Sequence, residues 1–288
     1  SWESPERERG VKPRIVGMHP RLSALAALRL TDPDEKVAAT RALAAHIASE
    51  TIADEPVRVP GDELGVPGRP ERPLRVSAMA VGKRSPFNTE GRAALVHSIC
   101  HIEFNAINLA LDAAWRYDGM PTRYYQDWLR VADEEAQHFT LLHAHLRTMG
   151  WRYGDFTGHD GLWSMCEKTR DDVLARMALV PRTLEARGLD ATPLIQAKLK
   201  RVNTPDALRA VEILDIILRD EVGHVAIGNH WYRWLCERAG IDAESAYPAL
   251  VARYEAPRLK PPFNLEARTR AGFSDEELKA LGASSPAP

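Results

Sequence analysis

Two short segments repeat one spacing of residues able to do chemistry: Glu135 with His138 in VADEEAQHFTLL, and Glu221 with His224 in LRDEVGHVAIG. On an α-helix, residues three apart sit about one turn apart on one face, so each E-x-x-H offers a carboxylate and an imidazole to one point. Two further carboxylates, Glu103 in HSICHIEFNAINLAL and Glu185 in ALVPRTLEARGLD, alternate with these pairs, giving the order Glu, E-x-x-H, Glu, E-x-x-H. Such mixed oxygen and nitrogen donors suit a pair of divalent cations, iron before manganese or a mixed pair, better than they suit the thiolate-rich sites of structural zinc. Composition alone would yield roughly one E-x-x-H in this chain, so the pattern carries weight only through its surroundings.

Those surroundings are apolar. Stepping by three and four residues from Glu103 passes Val96, Ile99, Cys100, Ala106, Ile107 and Ala110. The same walk from Glu135 passes Trp128, Val131, Ala132, Phe139 and Leu142, and around Glu221 it passes Leu214, Ile217, Val225 and Trp231. Leu174, Met177, Ala178 and Pro181 precede Glu185 in the same register. Each charge therefore falls in the middle of a stripe that should be buried. Four carboxylates meeting in one core would repel by about 3 kcal/mol per pair, taking ~5 Å separations and an effective dielectric of about 20. Two divalent cations would cancel the four charges. The competing arrangement pairs each Glu with a buried Arg or Lys, or turns the stripes so that Glu faces solvent, and it would have to recur four times in the right order.

The elements that must present these residues are all helical. Helix one is expected over about 89–118, and helix two from Pro121 to a stop at Gly150. Helix three is expected over about 161–187, ending at Gly188, with a kink at Pro181 that frees the carbonyl of Met177. A short helix from Thr192 and Pro193 to Val202 precedes helix four, over about 205–238. The two Glu…E-x-x-H halves read as a doubled helical hairpin, and short links favour antiparallel neighbours. The expected fold is thus all-α: a four-helix bundle over 89–240 with added N- and C-terminal helices. Residues 1–88 would hold an irregular arm to about residue 19, two helices (the second capped by Thr31 or Asp32) and a proline- and glycine-rich loop wrapped over the bundle. Residues 241–288 would add a helix near 243–255, an extended stretch EAPRLKPPFNLEARTRAGF, and a last helix capped by Ser274.

Hydrophobic residues make up 44% of the chain and charged residues 27%, with a net charge of −2, as in an ordinary globular protein rather than a nucleic-acid-binding one. Three separated cysteines, Cys100, Cys166 and Cys236, without any C-x-x-C, point away from a disulfide framework and toward a reducing compartment. With a polar N-terminal stretch and no long uncharged apolar run, the expectation is a cytoplasmic protein with no membrane partner.

The segments HIEFNAINLALDAAWRY, MPTRYYQDWLRVADEEAQHF, YGDFTGHDGLW, RMALVPRTLEARGLD, DEVGHVAIGNHW and PPFNLEARTRAGF closely resemble a bacterial family of ferritin-like proteins with a domain of unknown function. The likeness runs from PGRPERP onward. It implies a ferritin-like bundle with a two-metal site and leaves the substrate open. More distantly the arrangement is similar to the tRNA-modifying di-iron hydroxylase and other di-iron carboxylate oxygenases. In that superfamily the residue before the Glu of E-x-x-H is often acidic and hydrogen-bonds the imidazole of the opposite half; Asp220 and Glu134 occupy those places here. Radical-forming relatives carry a tyrosine one turn after the first E-x-x-H histidine, where this chain has Leu142, which disfavours a stable tyrosyl radical.

Arg182, three residues before Glu185, and Arg187 just after it are candidates for steering an anionic substrate to the metals. His97 and His101 are candidates for an extra ligand, though lone histidines beside an apolar stripe are more often structural. The reading that follows is a non-haem dimetal oxygenase or oxidase that activates O₂ against a small organic substrate, with an external electron donor and self-association both open. The alternatives are iron handling without substrate turnover, and hydroxylation of tRNA, which the modest charge does not favour.

Overall fold

The computed structural model describes residues 19–52, 65–82 and 84–283, so the expected N-terminal arm and part of the 54–88 loop lie outside the described residues. Its helices are α1 (Pro20–Arg29), α2 (Pro33–Ile47), α3 (Thr89–Arg116), α4 (Thr122–Thr148), α5 (Gly161–Lys168), α6 (Val173–Leu179), α7 (Ala186–Val202), α8 (Pro205–Ala239), α9 (Ala243–Arg253), α10 (Leu265–Arg270) and α11 (Asp275–Ala283). A wide π-helical turn, Val180–Glu185, joins α6 to α7. The fold is all-α, consistent with the ferritin-like bundle architecture: α3, α4, the run from α6 to α7, and α8 pack around one core. The first two helices lie across it, α1 against α3 and α2 against α4.

Local chemistry accounts for the ends of these elements. Asp32 accepts from the N–H of Glu35 at the start of α2, and Asn88 accepts from that of Gly91 at the start of α3. Ser274 opens α11 with a reciprocal cap: its Oγ accepts from the N–H of Glu277, whose carboxylate accepts from the N–H of Ser274. Gly119 (φ +70°) and Gly240 (φ +67°) take the left-handed conformation after α3 and α8.

Helix three departs from expectation in three ways. It breaks at 169–172, where the Thr169 carbonyl accepts from Tyr117 Oη at 3.0 Å and Thr169 Oγ1 from Arg176 Nε at 3.0 Å, while Asp172 caps α6. At Pro181 the helix widens rather than bends. The ring removes an N–H and crowds the carbonyl four residues back, and Thr183 Oγ1 donates to the Ala178 carbonyl five residues back, at 2.7 Å. Third, the helix does not stop at Gly188: α7 runs through it and through Pro193. Pro193 frees the carbonyl of Leu189, which accepts from Asn264 Nδ2 at 3.1 Å. Asn264 is also the cap of α10, a helix formed within the stretch expected to be extended.

Among the described residues, α3 is the one helix long and apolar enough to cross a membrane, and 72% of its most apolar window is buried inside the protein.

Candidate metal centre

α3 contributes Glu103, α4 Glu134, Glu135 and His138, the π turn Glu185, and α8 Asp220, Glu221 and His224. One donor atom each from Glu103, Glu135, His138 and Glu221 lies within 4.8 Å of the others, and all four residues are buried. Glu135 is the hub. Its Oε2 is 3.0 Å from His138 Nδ1 and its Oε1 2.9 Å from His224 Nδ1. Glu103 Oε2 stands 3.2 Å from His138 Nδ1, and Glu221 Oε1 3.6 Å from His224 Nδ1. Two half-sites thus share one carboxylate, with the imidazole centroids 5.9 Å apart. Glu185 and His224 fall outside the tightest foursome but border it: burial pushes the Glu185 carboxyl well up, reinforced by the charges of Glu221 and Glu135.

The outer nitrogens are held crosswise. His138 Nε2 donates to Asp220 Oδ2 at 2.9 Å and His224 Nε2 donates to Glu134 Oε2 at 2.6 Å, so each half's histidine is gripped by the residue preceding the other half's glutamate. This arrangement makes each Nε2 a donor and turns each Nδ1 toward Glu135, the face that a metal-ligating histidine would offer.

The inner atoms are poorly satisfied by protein alone. Both oxygens of Glu185 and Oε2 of Glu221 are buried without a hydrogen-bond partner among the described residues, and Oε1 of Glu135 and Nδ1 of His224 have only each other, 2.9 Å apart and poorly aligned for a hydrogen bond. Unpartnered buried carboxylate oxygens are costly, and several of them around one point fit a bound cation. Electrostatics tells the same story. Burial, followed by the charge of Glu135, raises the carboxyls of Glu103 and Glu221 above their usual range. Burial opposes charge on His138, yet its bonds to Asp220, Glu103 and Glu135 hold it up at about 12. A buried cluster that keeps protons for want of other cations can exchange them for metal ions.

The arginine candidates have other partners. Arg182 is buried in an ion pair with Glu277, its guanidinium 4.9, 4.4 and 5.2 Å from the ring centroids of Tyr232, Tyr247 and Phe273, so it anchors the C-terminal segment. Arg187 is exposed and donates from Nε to the Leu184 carbonyl. His97 accepts from the N–H of Gly154 at 2.9 Å and His101 Nδ1 meets Tyr153 Oη at 2.8 Å; both pin the 151–160 loop rather than joining the carboxylates.

Gly228 was not among the candidates, yet it sets the depth of the site: a Cβ there would lie 2.6 Å from Cβ and Cγ of Pro181. Its signal was available as a glycine in mid-helix, one turn after His224.

Residues 29–279 match the family described as Protein of unknown function (DUF455). The chain belongs to this family. It is similar to an uncharacterized protein of Haemophilus influenzae (strain ATCC 51907 / DSM 11121 / KW20 / Rd), with 46% identity over 263 residues, spanning 88% of this chain and 90% of the relative. No solved structure matches. The matched segment contains all eight residues of the cluster and its crosswise bonds, so the centre lies wholly within the DUF455 portion.

Proposed function

We propose that the Glu/His cluster holds two divalent metal ions, iron first and manganese or a mixed pair second, and that the protein is a ferritin-like dimetal oxidoreductase using O₂ on a small organic substrate. One observation carries this reading: Glu185 is 7% exposed with neither carboxylate oxygen bonded among the described residues, beside three other buried glutamates and two histidines whose outer nitrogens are already held. Glu103 and His138 would serve one ion, Glu185, Glu221 and His224 the other, and Glu135 both. Four carboxylates and two neutral imidazoles balance two divalent charges, and such a pair supplies one-electron redox steps and open positions for O₂.

The residues around the donors keep that chemistry ordered. Asp220 and Glu134 hold the orientation of the two rings through their Nε2 atoms. The π turn lets Glu185 project from a segment that is not locked into regular i→i−4 hydrogen bonding.

Oxygen consumption by iron-loaded protein in the presence of a chemical reductant tests the reading. Wild type is expected to take up O₂ in proportion to its iron, and Glu135→Ala to lose that uptake with its helical circular dichroism intact. Equal uptake in both would contradict it.

A further inference from the structure

A cavity of about 530 Å³ opens on the other flank of α3, between the 69–75 segment and the 153–160 loop. His101, Phe104 and Asn105 line or border it, and helical spacing turns them away from Glu103. Backbone bonds from Val76 N–H to the Gly158 carbonyl (2.9 Å) and from Gly158 N–H to the Leu74 carbonyl (3.0 Å) tie its two walls together. Gly158 is required there, because a Cβ would lie 2.6 Å from His101 Cδ2.

A polar chain runs along the wall. Tyr153 Oη lies 2.8 Å from His101 Nδ1, and His101 Nε2 is 3.4 Å from Asp160 Oδ1. Asp160 also accepts from Arg69 Nη1 at 3.0 Å and from Arg75 Nη1 at 3.3 Å, so both arginines rely on one carboxylate. Behind Phe104 lies a third cation, Lys36, fully buried, whose Nζ donates to the Leu28 and Gly68 carbonyls and to Asn108 Oδ1, none of them charged. Arg69 and Asp160 pair in the inner wall, the exposed Arg75 and Glu71 stand at the rim, and Lys36, behind Phe104, does not line the cavity. Burial depresses the basicity of Lys36 and Arg69.

Arg69 also leaves its Nε and Nη2 without a partner among the described residues. That edge of a guanidinium binds two oxygens side-on, as Arg268 does with Asp190 through Nε (3.0 Å) and Nη2 (2.6 Å).

We propose that this cavity is a second ligand site, separate from the Glu/His cluster, which takes a small molecule through a carboxylate or phosphate group held by Arg75 and Arg69. The site is independent of metal binding and is tested on the protein as purified, by calorimetric titration with inorganic phosphate in one arm and malonate in the other. Saturable one-to-one binding of either probe is expected, the tighter one naming the oxyanion. Arg75→Ala should weaken it by roughly tenfold or more, since a charge-assisted pair is lost. Arg75 is 60% exposed and bonds only at the cavity, so that variant keeps its fold. Arg123→Ala, a remote surface arginine, should leave the affinity unchanged. No saturable heat with either probe up to about 10 mM, where a site would contribute less than about 3 kcal/mol, would overturn the proposal, as would equal losses in Arg75→Ala and Arg123→Ala.

Discussion

Gly228 and Pro181 touch where α8 crosses the π turn, so closely that a Cβ on the glycine would stand 2.6 Å from two atoms of the proline ring. The contact couples two metal-ligand candidates: His224 lies one turn before Gly228, and Glu185 four residues after Pro181. Gly228→Ala is expected to push the π turn off α8 and withdraw Glu185. Overpacking of this kind costs about 1–3 kcal/mol. Metal analysis should show bound metal falling below that of wild type, the ion beside Glu185 being lost first, with helical content retained. Full occupancy at wild-type affinity would show that Glu185 is not positioned by this contact.

Asp220→Asn and Glu134→Gln preserve shape but weaken the grip on the histidine outer nitrogens. Each should reduce metal affinity by roughly 10- to 100-fold, with Asp220→Asn acting on the His138 half and Glu134→Gln on the His224 half. Competition with a chelator measures this, and unchanged affinity in both variants would remove these residues from the account.

The bundle was legible because burial and periodicity agree: the stripes flanking Glu103, Glu135 and Glu221 are the faces that α3, α4 and α8 bury. Helix three was not, because its irregularities answer to distant residues. The break at Thr169 depends on Tyr117 and Arg176, and the passage of α7 through Pro193 depends on Asn264, partners that no local window contains. The crosswise bonds of Asp220 and Glu134 could be anticipated only through family resemblance. The partners of Arg182 were hidden for a related reason: nothing near it in the chain announces Glu277 or the three rings that surround it. In the proline-rich stretch before α10 the prolines masked the cap at Asn264.

Arg176 donates to Asp112 Oδ2 at 2.6 Å and to the Cys166 carbonyl at 2.6 Å, tying the break in helix three to α3 in a buried site. Arg176→Met leaves Asp112 to Arg116 alone and should cost about 3–5 kcal/mol. Arg176→Met with Asp112→Leu should cost less than the two single changes added together. Urea unfolding of the metal-free protein checks both statements, and strict additivity would argue against a direct pair.

Burial works against charge on Asp160, yet the His101 hydrogen bond and the Arg69 guanidinium hold its carboxyl down at about 2, below the ordinary 3.8. A depressed carboxylate stabilises the fold fully above its unfolded value and loses that contribution as pH falls through its folded value. The stability gap between wild type and Asp160→Asn should therefore be constant above about pH 5 and close between about pH 4 and pH 2. Chemical denaturation across that range reads it, and a gap that persists below pH 2 would contradict the assignment.

The decisive measurement is the metal content of protein refilled anaerobically with Fe(II) and freed of excess ion, read by elemental analysis for wild type and Glu135→Ala. The shared position of Glu135 predicts about two irons per wild-type chain and a loss of both in the variant. A wild-type chain that retains no iron, or a variant that keeps as much as wild type, would mean that these buried acids are held by protons and not by a pair of cations.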